Sequence, residues 1–285
     1  MTPPEPPPPA APAEEPFTKV LERMNHFQEP EARAAIAALG LPTGSRGLDV
    51  GCGVGLFTLW LAEGLGPEGR VVGVEPSGER VEAARALAGA ALPPPRLSFQ
   101  EGDGTALPWP AATFDWVWCG DALHHILDTE GALREFARVL RPGGRIVVKE
   151  SQVLAAVFLP GHPELERRIQ QAEMTRSLAE GGGRSFQERR QHTAAALHAV
   201  GFDPVAIRTV VLHRQAPLTD AARDYIQRVV FERNWGERLR PLLTREDWQR
   251  RSELCEAASP AFVLGHPAYY CLYPITLFTA VRRPS

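Results

Sequence analysis

Leu48-Asp49-Val50-Gly51-Cys52-Gly53-Val54-Gly55 is the stretch from which the rest of the chain can be read. Gly47 to Val50 has the look of a short buried strand, and Leu56 to Glu63 that of a helix, with three alternating glycines between them. Such a turn lets the backbone approach a ligand closely and aims the free N–H groups of the helix start at it. The spacing is G-x-G-x-G. A dinucleotide fingerprint, G-x-G-x-x-G, needs glycine at position 56, where Leu56 stands, and this argues against an NAD-dependent oxidoreductase.

Outward from this turn, strands and helices alternate. Arg70 to Val74, Arg96 to Gln100, Phe114 to Cys119 and Arg145 to Lys149 are short apolar runs. Between them, Ser77 caps a helix through Ala88, Gly131 to Leu140 forms another, and Arg141-Pro142-Gly143-Gly144 is a turn. Upstream, Phe17 to Met24 predicts a short helix and Pro30 opens a second through Leu39, which places Asn25-His26-Phe27 between them as a lid. The alternation predicts βαβ units and an α/β, doubly wound, mostly parallel sheet, with ligands beyond the carboxyl ends of the strands.

Composition narrows the function. The 285 residues carry a formal net charge of -3, which weighs against a partner that is nucleic acid. No run of apolar residues is long enough to span a membrane. Cys52, Cys119, Cys255 and Cys271 are widely spaced, without a CxxC pair, so neither a zinc site nor a disulfide framework is expected. Residues 1–16 contain eight prolines and neither the basic nor the apolar region of a signal peptide, predicting a disordered tail on a cytoplasmic protein. Composition leaves the oligomeric state open.

Further candidate site residues stand at the strand ends. Glu75 follows the second strand, 20 residues past Gly55, where a carboxylate can accept both hydroxyls of a ribose. Asp103 and Gly104 follow the third; a carboxylate beside a backbone N–H can read an adenine edge.

In order, LDVGCGVG, VVGVEPS, EGDGTALPWPAATFDWVWCGDALHHI and REFARVLRPGGRIVV resemble the class I (Rossmann-like) S-adenosylmethionine-dependent methyltransferases, of the small-molecule type. The resemblance covers residues 17–150 and extends more loosely to Phe202–Leu212 and Tyr270–Val281, which look like the last two of seven strands. It implies S-adenosylmethionine as cofactor. Gly51, Cys52 and Gly53 would pass under its methionine part, and Asp49 would orient the amino group. Glu75 would take the ribose, Pro76 would line the adenine, Asp103 and Gly104 would read the base, and Cys119 would sit beside the methionine chain.

Methyl transfer from a sulfonium mainly requires alignment, and a base only where the acceptor loses a proton. His124, His125 and Glu150, at the ends of the fourth and fifth strands, are the candidates for that role. Adjacent histidines cannot readily face one ion, so no metal is expected. Two helical insertions, about 151–184 and 216–267, are not needed to complete the sheet and are expected to form a cap. Tyr225, Phe231, Trp235, Trp248, Phe262, Tyr269 and Tyr270, with Arg223 and Arg228, point to an aromatic or apolar small-molecule acceptor. Tyr225 and Arg228 are expected to share a helix face, and Thr244-Arg245-Glu246-Asp247 to open a helix with a capping box. The alternatives are methylation of RNA or protein, and S-adenosylmethionine binding without transfer.

Overall fold

The computed structural model describes residues 15–88, 91–92, 94–180 and 185–283. Most of the proline-rich tail and the glycine run Gly181-Gly182-Gly183 lie outside these residues. Seven strands form one sheet: β1 (Arg46–Val50), β2 (Arg70–Glu75), β3 (Leu97–Glu101), β4 (Phe114–Gly120), β5 (Leu140–Ser151), β6 (Ala206–Gln215) and β7 (Tyr270–Val281). Their order is β3-β2-β1-β4-β5-β7-β6. The first five pair in parallel, and β7 runs antiparallel to both β5 and β6. The expected doubly wound, mostly parallel sheet is the fold observed. Its order reverses between β1 and β4, where an open sheet offers a crevice beyond its carboxyl ends.

Helices cover both faces, so the strands are apolar on both, and the period of two sorts their side chains. Val71, Trp116, Trp118 and Val147 pack beneath α1 (Phe17–Ala38), α2 (Leu56–Glu63) and α3 (Gly78–Leu87). Val117, Cys119, Ile146 and Val148 face α4 (Thr129–Val139) and, beyond α5 (Pro163–Glu180) and α6 (Phe186–Gln191), α7 (Thr193–Ala199).

Some local expectations give way to tertiary packing. The two helices predicted on either side of Asn25-His26-Phe27 are one helix, α1, with Pro30 inside it. The hydrogen bond that Pro30 cannot donate would go to the carbonyl of His26, and both residues are exposed, so water can serve that carbonyl. Packing on either side of the proline holds the helix together. The turn Arg141–Gly144 is a bulge inside β5, where the pairing of Leu140 with Phe114 jumps to that of Arg145 with Trp116. Ser185 caps α6, and the chain breaks at His192 before α7. Ladder pairing of the sixth strand starts at Ala206, and Phe202 makes only an isolated bridge to Arg282.

The two insertions, with α8 (Asp220–Asp224), a π-helical segment (Tyr225–Asn234) and α9 (Arg245–Cys255), share a third core with α1 and β7. Ile169, Ile226, Phe231, Trp235 and Leu254 meet Val20 and Phe27 of α1 there. The second half of α1, through Ala32, Ala35 and Ile36, packs instead on the sheet. One helix therefore straps the insertions to the sheet. Thr244 caps α9 by accepting from the Asp247 N–H, but Asp247 closes no capping box, because its carboxylate binds Arg168 at 2.8 Å.

Phe27 is 1% exposed, stacks on Tyr225 at 4.3 Å between ring centroids and meets Tyr273 edge-on. Phe27→Ala is expected to cost about 3–5 kcal/mol, the range for a buried aromatic. Urea denaturation checks this, and a loss below 1 kcal/mol would show that α1 is not fastened there.

Candidate active site

Beyond the carboxyl ends of β1, β2 and β4 lies a cavity of about 570 Å³, between the sheet, α1 and the insertions. Its size falls within the roughly 300–1,000 Å³ of small-molecule and cofactor pockets. Gly51, Gly53 and Gly55 have φ of 74°, 55° and 79°, the left-handed region that glycine enters without strain. Gly51 and Cys52 donate their N–H groups to the Val74 carbonyl at 2.8 and 3.1 Å, which ties the loop to β2. A Cβ on Gly51 would stand 2.3 Å from that of Ala122, so only glycine lets the β1 and β4 loops close into a floor.

Glu75 stands at the tip of β2, 2% exposed. Its carboxylate accepts from the Gly53 N–H at 3.1 Å and the Ser77 N–H at 3.2 Å, and faces the Arg80 guanidinium at 3.2 Å. Asp49, at the end of β1, accepts the Thr58 hydroxyl at 2.7 Å. Burial, with the Glu75 charge nearby, raises its carboxyl to about 7 in spite of that bond. Asp103 lies at the exposed rim, where it accepts from the Thr105 N–H at 2.8 Å. Pro76 and Gly104 line the same end.

All of the expected site residues line this cavity except Cys119 and Glu150. Strand alternation turns Trp118 and Gly120 to the cavity and Cys119 to the opposite face, where burial pushes its thiol well above the usual range. Cys119 is thus a core residue and does not stand beside the cavity. Glu150 lies behind His124, its Oε2 2.7 Å from Nδ1 of that ring, and cannot meet an acceptor directly. Its carboxyl is raised to about 8 by burial, and Oε1 has no hydrogen-bond partner among the described residues.

The two histidines separate. Arg190 on α6 lies 2.8 Å from Nε2 of His124. A guanidinium only donates, so Nε2 accepts and Nδ1 carries the hydrogen given to Glu150. Both nitrogens are occupied, and burial with the Arg190 charge holds the ring well below the usual histidine range. His124 is therefore not available as the expected proton acceptor. His125 is exposed, lines the cavity and rests against Phe186 at 4.7 Å. Its ring nitrogens have no hydrogen-bond partner among the described residues. One edge of the ring reaches solvent, but the crowding of its faces by His124 and Phe186, then the charges of His124 and Arg190, lower it to about 3, so the ring is neutral at physiological pH.

Sequence reasoning passed over the group that holds this region together. Lys149, 1% exposed, binds Asp121, Gln28 of α1 and Ser151. Asp121 has a φ of 50°, and it accepts from the Ser151 N–H at 2.7 Å. Burial alone would raise its carboxyl, but Lys149 and Arg190 hold it at about 2. One signal was available: Lys149 is one of only two lysines in the chain and interrupts an apolar strand.

On the far side the lining is Phe158, Tyr225, Val229, Val230, Trp235 and Tyr273. In the π-helical winding Tyr225 shares its face with Val229 and Val230. Arg228 is exposed and pairs with Glu232 at 3.0 Å, so the expected Tyr225–Arg228 face does not form. Of the lid residues, Asn25 lines the cavity, Phe27 is buried in the cap core and His26 faces solvent. Among the described residues no group of three His, Cys, Asp or Glu is placed to hold a metal ion, and no helix is long and apolar enough to cross a membrane.

Residues 48–148 match the family described as "Methyltransferase domain". The chain is 32% identical to the 27-O-demethylrifamycin SV methyltransferase of Amycolatopsis mediterranei, over 66% of its own length and 64% of that protein. It is 37% identical to the demethylmenaquinone methyltransferase of Shouchella clausii, over 42% and 51%. It thus spans less than two thirds of either relative. Among solved structures, the YcgJ protein from Bacillus subtilis superposes with a TM-score of 0.57 at 21% identity, covering 90% of this chain and 99% of that one, a likeness of fold. Residues 48–148 are thus similar to a methyltransferase domain, on a sheet of the class I, S-adenosylmethionine-dependent kind.

The cavity's chemistry fits that cofactor. A glycine floor admits close backbone approach, Glu75 is held ready to accept hydroxyl groups, and Asp49 and Asp103 offer anionic oxygens to a ligand that carries cationic and N–H groups. Trp118 adds a buried indole N–H with no hydrogen-bond partner among the described residues.

Asp49 allows a test of pH dependence. Its folded carboxyl is raised, so the folded state binds its proton more tightly than the unfolded chain does, and stability is lost as pH climbs from about 4 to about 7. Asp49→Asn keeps an oxygen for Thr58 and has no proton to lose. Its stability relative to wild type is expected to rise by about 1.4 kcal/mol per pH unit over that window. Denaturation midpoints at successive pH values check this, and parallel curves would refute it.

Proposed function

We propose that this protein transfers the methyl group of S-adenosylmethionine to a small-molecule acceptor. The cofactor would lie across Gly51, Cys52 and Gly53, with Asp49 toward its amino group, Glu75 on its ribose, and Pro76, Asp103 and Gly104 around its adenine. The acceptor would lie against Phe158, Tyr225, Trp235 and Tyr273. The observation that carries this reading is the continuity of the cavity. One continuous space joins the glycine floor and Glu75 to a lobe lined mainly by aromatic and aliphatic side chains, with Glu173, Arg190 and Asn234 among them. A space of that kind suits a largely apolar small molecule. Relatives whose names give rifamycin and menaquinone precursors as substrates support the same class.

Held on the glycine floor and Glu75, the cofactor would supply a methyl group already activated as a sulfonium, for a lone pair of the acceptor to take. The protein's part is alignment and exclusion of water. His125 faces the cavity and is our candidate to take a proton from an acceptor that must lose one, although its lowered pKa makes the ring a weak base. Glu150 acts through His124 as a positioning residue. We place the protein in the cytoplasm, a reading supported by four cysteines that are all buried free thiols.

Glu75→Ala is expected to weaken S-adenosylhomocysteine binding at least about 10- to 100-fold, since even one hydrogen bond to a charged group is worth roughly 1.5–3 kcal/mol. Calorimetry on the folded variant measures this, and unchanged affinity would remove Glu75 from the ribose site. Asp103→Ala should instead narrow the preference for adenosine over other nucleosides. An equal loss for every nucleoside would contradict adenine readout by Asp103.

A further inference from the structure

The acceptor side of the cavity holds a carboxylate that, among the described residues, no basic group pairs at close range. Glu173, on α5, accepts from Trp235 Nε1 at 3.2 Å, and among the described residues it makes no ion pair. It lines the cavity beside Phe158, Tyr225, Trp235 and Tyr273 and is only partly covered. A carboxylate among aromatic rings is costly unless a hydrogen-bond donor reaches it, and one indole N–H leaves most of its lone pairs unused.

The groups around Glu173 select the kind of donor. Arg176 of its own helix and Arg190 of α6 lie within electrostatic reach, and both pull its carboxyl down against the larger, raising effect of burial. The Tyr225 phenol, on the π-helical segment, feels the Glu173 charge in turn. Burial outweighs both, so the carboxyl is raised overall toward its neutral form, and an incoming ammonium would be repelled by both guanidinium groups. A neutral hydroxyl loses nothing to that field and gains a charge-assisted hydrogen bond. The rings around it cover an apolar body.

We propose that Glu173, held in place by Trp235, forms a subsite for a hydroxyl group on an otherwise apolar acceptor. The inference rests on the small-molecule reading of the cavity and deepens it. The remaining lone pairs of Glu173 take the hydroxyl hydrogen, the carboxylate fixes how far the acceptor enters, and the aromatic wall contributes area.

Three probes with one ring system separate the possibilities: naphthalenemethanol, naphthylmethylamine and methylnaphthalene, each titrated by calorimetry into protein saturated with S-adenosylhomocysteine. Wild type is expected to bind the alcohol about tenfold more tightly than the hydrocarbon, the worth of one charge-assisted hydrogen bond. Glu173→Ala should abolish that difference while leaving hydrocarbon binding and S-adenosylhomocysteine affinity near wild type. Glu173→Gln, of the same shape, should narrow it and decides the matter if the alanine variant does not fold. Equal binding of alcohol and hydrocarbon by wild type, or a preference that survives both substitutions, would overturn the subsite. Tightest binding of the ammonium probe would overturn it in favour of a cation site. If none of the probes binds while S-adenosylhomocysteine does, the small-molecule reading falls and takes the subsite with it.

Discussion

The buried ammonium of Lys149 is the constraint on which the functional end of the sheet depends. A charge removed from water is tolerated only with partners, and removing one partner of a buried pair is more damaging than the pair is stabilising. Lys149 meets this condition with Asp121 from the β4 loop, Gln28 from α1 and Ser151 from the end of β5. Three segments far apart in the chain are thereby fixed around one nitrogen. Asp121 is held at a φ of 50°, an uncommon conformation for any residue with a side chain, and that conformation sends the chain into Ala122 and the turn Leu123–His125. Ala122 meets the Gly51 floor, His124 is locked by Glu150 and Arg190, and His125 is left facing the cavity.

The cavity has two halves built by different means. The cofactor half is made of backbone: glycines with positive φ, N–H groups that hold the Glu75 carboxylate, and strand ends whose position follows from the ladder. It draws on β1, β2 and the loop after β3, which are close in sequence and adjacent in space. The acceptor half is made of side chains from α1, α5, α6, the π-helical segment and β7. Its geometry depends on the third core, where Phe27 and Tyr225 stack and the insertions lean on the strap formed by α1. A shared core of this kind lets the acceptor half change without disturbing the floor, since few of its residues touch both.

The parallel sheet, the glycine floor, the positions of Glu75 and Asp103 at their strand ends and the limits of α2 and α3 could all be read from local pattern. Each depends on short-range chemistry: a glycine with positive φ, a serine cap, a strand period. The continuity of α1 was not legible, because Pro30 is a helix breaker by every local rule and only packing on two cores carries the helix through it. Cys119 was misplaced for a related reason: the motif located it along β4, while the side it faces depends on register within the sheet.

Side-chain partnerships between distant segments belonged to the tertiary structure alone. His124 and His125 are indistinguishable as neighbours in sequence. Arg190, 66 residues away, occupies one of them and leaves the other open. Glu173 is an ordinary acidic residue on a polar helix until Trp235 and the cavity wall surround it. Local sequence specified the backbone that receives the cofactor, because hydrogen-bond geometry and φ preference act within a few residues. Which side chains face the acceptor, and which titrate away from their usual range, was decided by burial and by charges brought together only when the chain folded.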